Sequence, residues 1–155
     1  MTSRRKSRFT YNTEELTKNI NAEIERLKTE CDVIYISHLI QNIVTNRLLF
    51  GFSIEGTPGA ELYDGLHIVS DLIFDKYTSD AFKSKRFRQY ISDNNYDEIL
   101  LCGLDQCGCV YHTAIGALKA GKKVSIIKNA TACRFSEKKR VKAVKGLKEL
   151  GVHFV

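Results

Sequence analysis

Apolar positions along the chain recur with two periods, and the alternation between them outlines the fold. Leu16, Ile20, Ile24 and Leu27 are spaced as one buried stripe of a helix. Thr13 followed by Glu14 and Glu15 reads as its start, a hydroxyl cap with acids at the positive end of the dipole. Val33-Ile34-Tyr35-Ile36 reads as a short buried strand. Residues 39–60 carry no period and close on the turn cluster Glu55-Gly56-Thr57-Pro58-Gly59. Beyond them the pattern predicts a strand at 71–74, a helix at 83–94, a strand at 99–102, a helix at 108–120 stopped by Gly121, and a strand at 124–127. A helix capped by Ser136 and ended by Gly151 then leads into a last strand at 152–155. Strands alternating with amphipathic helices mean crossover connections. The expected fold class is therefore α/β, a Rossmann-like parallel sheet with helices on both faces, formed by residues 13–155 as a single domain.

Composition narrows the setting. The chain has 155 residues, 43% hydrophobic and 27% charged, the balance of one globular domain. No apolar run reaches the roughly 18–20 residues of a membrane span, and no apolar stretch follows the basic start, so neither a membrane partner nor a secretory leader is expected. A cytoplasmic location follows as the expectation.

The net charge of +6 is unevenly spread. Residues 1–12 form a basic arm with Arg4, Arg5, Lys6, Arg8 and no acid, and residues 136–149 carry a second surplus, leaving the remainder slightly acidic. A solvated arm and a solvated helix face account for both. No nucleic-acid fold signature accompanies them; a polyanion bound by the arm is the alternative.

Five cysteines without a leader argue for reduced thiols rather than a disulfide framework. Cys102, Cys107 and Cys109 lack the paired spacing of a zinc site, and the four histidines are scattered, so no metal and no cofactor are expected. The segment Cys102-Gly103-Leu104-Asp105-Gln106-Cys107-Gly108-Cys109-Val110 reads as strand, tight turn and helix start, which sets Cys109 in the first turn of a helix. Unpaired N–H groups and the dipole there favour a thiolate. An unperturbed thiol is only about 3% ionised at pH 7, so such help decides whether it is a nucleophile. Lys76, after the strand at 71–74, is a second candidate, an ammonium able to stabilise a thiolate or an oxyanion.

The run Gly103-Leu104-Asp105-Gln106-Cys107-Gly108-Cys109-Val110-Tyr111-His112-Thr113-Ala114 resembles the nucleophile signature of the isochorismatase-like cysteine hydrolases, which include nicotinamidases and N-carbamoylsarcosine amidases. Lys76 with Ala81-Phe82 is similar to the family's lysine segment, and Gly56–Leu62 to the stretch before it. The resemblance implies covalent catalysis on a small amide-like or ester-like substrate. Cys109 matches the nucleophile, Lys76 the catalytic lysine, and the backbone N–H groups of Asp105 and Cys109 the oxyanion hole, with a cis peptide at Leu104–Asp105. His38 and Phe82 are candidate pocket residues, and a homo-oligomer is implied by resemblance alone.

Two departures accompany the match. The family carries an Asp at the end of a strand before its first helix, whereas residues 1–12 hold no Asp and no β-branched run. Preceding sequence, residues 7–12 or a partner chain would fill that place in the sheet; otherwise the chain is a degenerate scaffold or binding module. Asp75 and Asp80 are the nearest acids, and neither is expected to substitute. Ser37-His38 stands where the metal-binding branch has Asp-x-His, and Asn129-Ala130 where Asp-Ala is common.

Overall fold

The computed structural model describes residues 11–49 and 53–155; the cations of the basic arm, Arg4 to Arg8, lie outside them. Helix α1 spans Thr13–Leu27, and its cap is Asn12 rather than Thr13. The Asn12 side-chain oxygen accepts the N–H groups of Glu14 and Glu15 at 3.0 and 3.3 Å. Asn12 has extended backbone, as a cap must, while Thr13 is already helical. Strand β1 (Tyr35–His38) pairs in parallel with β2 (Ile73–Lys76), setting His38 opposite Lys76. The six-residue helix α2 (Val44–Leu49) lies between them, in a region too short and too exposed to show a period.

A second parallel ladder holds β3 (Glu98–Leu104), β4 (Lys123–Ala132) and β5 (His153–Phe154), in that order. Helices α3 (Lys85–Asp93), α4 (Cys109–Lys119) and α5 (Glu137–Glu149) complete the alternation. β1 and β2 start two residues later than the apolar runs suggest. Hydrophobicity marks burial, whereas the ladder begins where Tyr35 N–H first reaches Leu72 O, at 2.9 Å. β4 runs past Ile127 because Thr131 and Ala132 resume pairing with Gly103 and Leu104 after a register shift. The core gathers Phe74, Phe82, Phe87, Ile91, Val110, Ala114, Val124, Ile126 and Leu147.

Among the described residues the two ladders do not hydrogen-bond to each other. Between β1 and β3 runs a cleft walled by Ile34 and Ile36 on one side and Ile99 to Leu101 on the other. Among the described residues no strand pairs with the inner edge of β1 or of β3. The cleft is tied at its lower end, where Tyr96 Oη donates to the Asp32 carboxylate. At the upper end the tie is made by the groups of the candidate site. The Asn129 departure is structural: its carbonyl accepts from Asn19 at 2.8 Å and its amide reaches Glu23 at 3.4 Å, fastening β4 to α1.

One glycine is required by contact. α4 packs on the short turn Ala81–Lys83, and a Cβ on Gly116 would stand 2.3 Å from Asp80 Oδ1. That oxygen is already engaged, accepting Phe82 N–H at 2.9 Å to cap the turn. Gly116→Ala should therefore lower stability by about 1–3 kcal/mol, through overpacking and a lost cap, read as an earlier urea midpoint.

Candidate active site

Gly103, one residue before the end of β3, has a φ of +103° that suits only glycine, and the Leu104–Asp105 peptide at the end of the strand is cis. The chain then folds around the Asp105 side chain, which is buried at 2% exposure. Its Oδ1 accepts Cys107 N–H at 2.7 Å, and its Oδ2 accepts both N–H and Nε–H of Arg134 at 3.0 Å. Gln106 N–H meanwhile donates to Ala132 O at 2.9 Å. The turn after β3 and the loop after β4 are thus fastened by one carboxylate and one backbone bond. The Asp105 carbonyl accepts Gly108 and Val110 N–H, passing over the Cys109 N–H between them. Gly108 is the cap residue of α4, and Cys109 is the first residue of the helix.

Lys76 ends β2 with its side chain on the buried face, 4% exposed. An ammonium offers three donors and tolerates burial only when they are used. Here Nζ donates to Thr78 O at 2.9 Å, Ser79 O at 3.3 Å and Cys109 Sγ at 3.0 Å. Thr113, one helical turn beyond Cys109, holds the same loop: its Oγ1 accepts Ala81 N–H at 3.1 Å and donates to Ser79 O at 3.5 Å. The Thr of the sequence motif thereby ties the helix bearing the sulfur to the loop that seats the lysine.

His38 Nδ1 lies 3.7 Å from Cys109 Sγ. Its pKa is held below the ordinary histidine value, first by burial and then by the positive charges of Lys76 and Arg134. The imidazole therefore stays neutral at neutral pH. Cys109, Lys76 and His38 together line a cavity of about 270 Å³ that continues along β1 and β3 through Ile36, Leu101 and Leu104. Phe82 does not line this cavity. It is buried in the core with its ring 5.1 Å from that of Phe87. Asp80 is committed to its cap, and Asp75 is exposed on the outer side of β2. Ser37 Oγ donates to Ala60 O at 3.1 Å.

Sequence reasoning named the backbone of Asp105 but not its carboxylate, and it named neither Arg134 nor Cys133. Ion pairs across two loops leave no period or spacing to read. Among the described residues, the one group of three potential metal ligands is Asp105, Cys107 and Cys133.

The family model of the isochorismatase domain matches residues 5–155, and the chain belongs to that family. Solved structures agree on the fold. An isochorismatase family protein from Desulfovibrio vulgaris aligns with a TM-score of 0.79 at 19% identity, over 90% of this chain and 79% of that one. A pyrazinamidase/nicotinamidase from Streptococcus mutans gives 0.78 at 24%, over 92% and 86%. An N-carbamoylsarcosine amidase from Thermoplasma acidophilum gives 0.77 at 21%, over 91% and 82%. Curated protein sequences give no match. No helix among the described residues is long and apolar enough to cross a membrane.

The Asp105 clamp has a measurable worth. Removing one partner of a buried, hydrogen-bonded pair costs about 3–5 kcal/mol, and solvent at the half-exposed Arg134 reduces that. Asp105→Ala should destabilise the chain by about 3 kcal/mol in chemical denaturation, whereas Glu137→Ala, which removes an exposed ion pair, should leave the denaturation midpoint nearly unchanged.

Proposed function

We propose that this chain is a cysteine hydrolase that cleaves a small amide-like or ester-like substrate through an acyl-Cys109 intermediate, without a metal. The observation that carries the reading is the Cys109 sulfur at the start of α4, 3.0 Å from a buried ammonium and 3.7 Å from a neutral imidazole, in a cavity sized for a small molecule. His38 Nδ1 takes the thiol proton as the sulfur attacks the carbonyl carbon. The new C–S bond forms, the carbonyl π pair moves to oxygen, and the N–H groups of Asp105 and Cys109 receive the oxyanion. Lys76 holds the sulfur throughout and keeps positive charge beside it. Collapse breaks the bond to the amine or alcohol, which leaves with the proton from His38. Water then attacks the thioester, returning the proton to Cys109 and releasing the acid. A homo-oligomer belongs to the same reading, on family grounds.

A second reading, a scaffold that binds without turnover, draws on one feature. Among the described residues, the side chains within hydrogen-bonding distance of Sγ are Lys76 and His38, and neither is a carboxylate. Labelling and turnover separate the two: a scaffold keeps a reactive sulfur yet gives no burst of product from any small amide or ester.

Cys109→Ala should abolish both turnover and alkylation at that position. Lys76→Met should slow alkylation of Cys109 at least tenfold, since the thiolate loses its charged donor. Similar and slow alkylation of Cys109 and Cys107 sinks the proposal.

The pH profile tests His38 separately. Its lowered pKa keeps the base form present as pH falls through about 6.5, the ordinary histidine value. The acid limb of Cys109 alkylation should therefore lie below pH 6.5 and move upward in His38→Gln, where the thiol ionises without a base. A limb above that value counts against His38 as proton acceptor.

A further inference from the structure

Cys107 and Cys133 place their sulfurs 3.0 Å apart, one in the middle of the turn between Asp105 and Cys109, the other in the loop after β4. Neither is joined in a disulfide. The segments that carry them are fixed against each other on both sides of the pair. Gln106 N–H holds Ala132 O on one side, and Asp105 Oδ2 holds the Arg134 N–H and Nε–H on the other. The sulfurs are therefore held together by neighbouring bonds rather than meeting by chance on mobile chain. Phe135 N–H donates to Cys133 Sγ at 3.4 Å, and the charges of Lys139 and Arg140 act on the pair from the first turn of α5.

A metal is the other occupant to weigh. Among the described residues the one third donor close by is Asp105, and both of its oxygens already accept N–H groups. The pair is left with two sulfurs facing one another.

We propose that Cys107 and Cys133 form a reversible disulfide that switches off the neighbouring Cys109 turn when the chain meets the disulfide of a low-molecular-weight thiol, RSSR. The Cys133 thiolate, supported by Phe135 N–H, attacks one sulfur of RSSR, forming Cys133–S–SR and releasing RS⁻. Cys107 then gives up its proton to solvent and attacks the Cys133 sulfur, so that the Cys107–Cys133 bond forms and a second RS⁻ leaves. The two thiols lose two electrons and two protons, RSSR gains the electrons, and excess thiol reverses the sequence. Burial and the adjacent Cys133 sulfur hold the Cys107 thiol above its ordinary pKa, which suits it to be the resolving partner.

The consequence for Cys109 rests on the hydrolase reading. A disulfide bond is about 2.05 Å long, so closure must shorten the 3.0 Å separation. Cys107 N–H is bonded to Asp105 Oδ1 and Cys109 is two residues on, so the displacement is passed along the turn to the Asp105 amide and to the Cys109 sulfur in its 3.0 Å contact with Lys76. A shift of order 1 Å in such a group can cost about 10²-fold in rate.

The test equilibrates the full chain in oxidised and reduced glutathione at several ratios, blocks remaining thiols, and reads intact mass and a non-reducing peptide map. The expected result is a loss of two hydrogens, mapped to Cys107–Cys133, together with alkylation of Cys109 by iodoacetamide at least tenfold slower than in the reduced chain. Cys133→Ser should alkylate at Cys109 like the reduced wild-type chain at every ratio. No Cys107–Cys133 linkage, a linkage between Cys107 and Cys109 instead, or an oxidised chain whose Cys109 is as reactive as before overturns the proposal. So does a stoichiometric Zn²⁺ complex of the pair that blocks oxidation. The peptide map is independent of the hydrolase reading: that reading fails when Cys109 of the reduced chain alkylates no faster than the exposed Cys31, whatever the map shows.

Discussion

A buried ammonium must find acceptors for all of its hydrogens, and the way Lys76 does so organises the upper half of the molecule. Two of its acceptors are carbonyls of its own following loop, Thr78 and Ser79, so the chain must curl back on itself directly after β2. The third is a sulfur on the other ladder, so α4 must begin within reach of the end of β2. Asp80 at the cap, Thr113 bridging helix and loop, and Gly116 leaving room for the Asp80 carboxylate all serve that single contact. Among the described residues the ladders share no backbone bonds, and this cluster and the Tyr96–Asp32 bond hold them at opposite ends of the cleft.

The same economy governs the turn that carries Cys109. A non-helical stretch between a strand and a helix would ordinarily be soft. Here the Asp105 carboxylate is turned inward and spends its two oxygens on three N–H groups, one from its own turn and two from Arg134. A side chain that would be costly to bury unpaired becomes the post around which the turn is wound. Rigidity of this kind is what lets backbone N–H groups act as preorganised donors.

Much of this could be read in the amino-acid order, and the reason is periodicity. Helices α1, α4 and α5 announce themselves because a buried stripe repeats every three or four residues. The βα alternation gives the fold class, and the spacing from Gly103 to Ala114 points to the helix start that holds the sulfur. Lys76 was legible through its place after a strand and through the resemblance of its segment, with Ala81-Phe82, to the family's lysine segment. What escaped detection lacks any local pattern. α2 is a short helix with Val44 and Leu48 exposed, so no stripe exists to find. The Asp105–Arg134 pair and the approach of Cys133 to Cys107 span 29 and 26 residues and depend on two loops meeting. Phe82, expected at the pocket, lies in the core, because the turn holding it rotates the ring towards Phe87. The Asn12 cap was misplaced by one residue, since Asn and Thr are both good caps and only backbone conformation separates them.

The cleft between β1 and β3 has one further consequence. Its walls are aliphatic, with Ile34 and Ile36 set against Ile99, Leu100 and Leu101. Ile34, Ile36 and Leu101 also bound the cavity at the sulfur. On the proposed hydrolase reading, an acyl group carried on Cys109 would lie against these aliphatic side chains, which favours substrates with an apolar acyl portion.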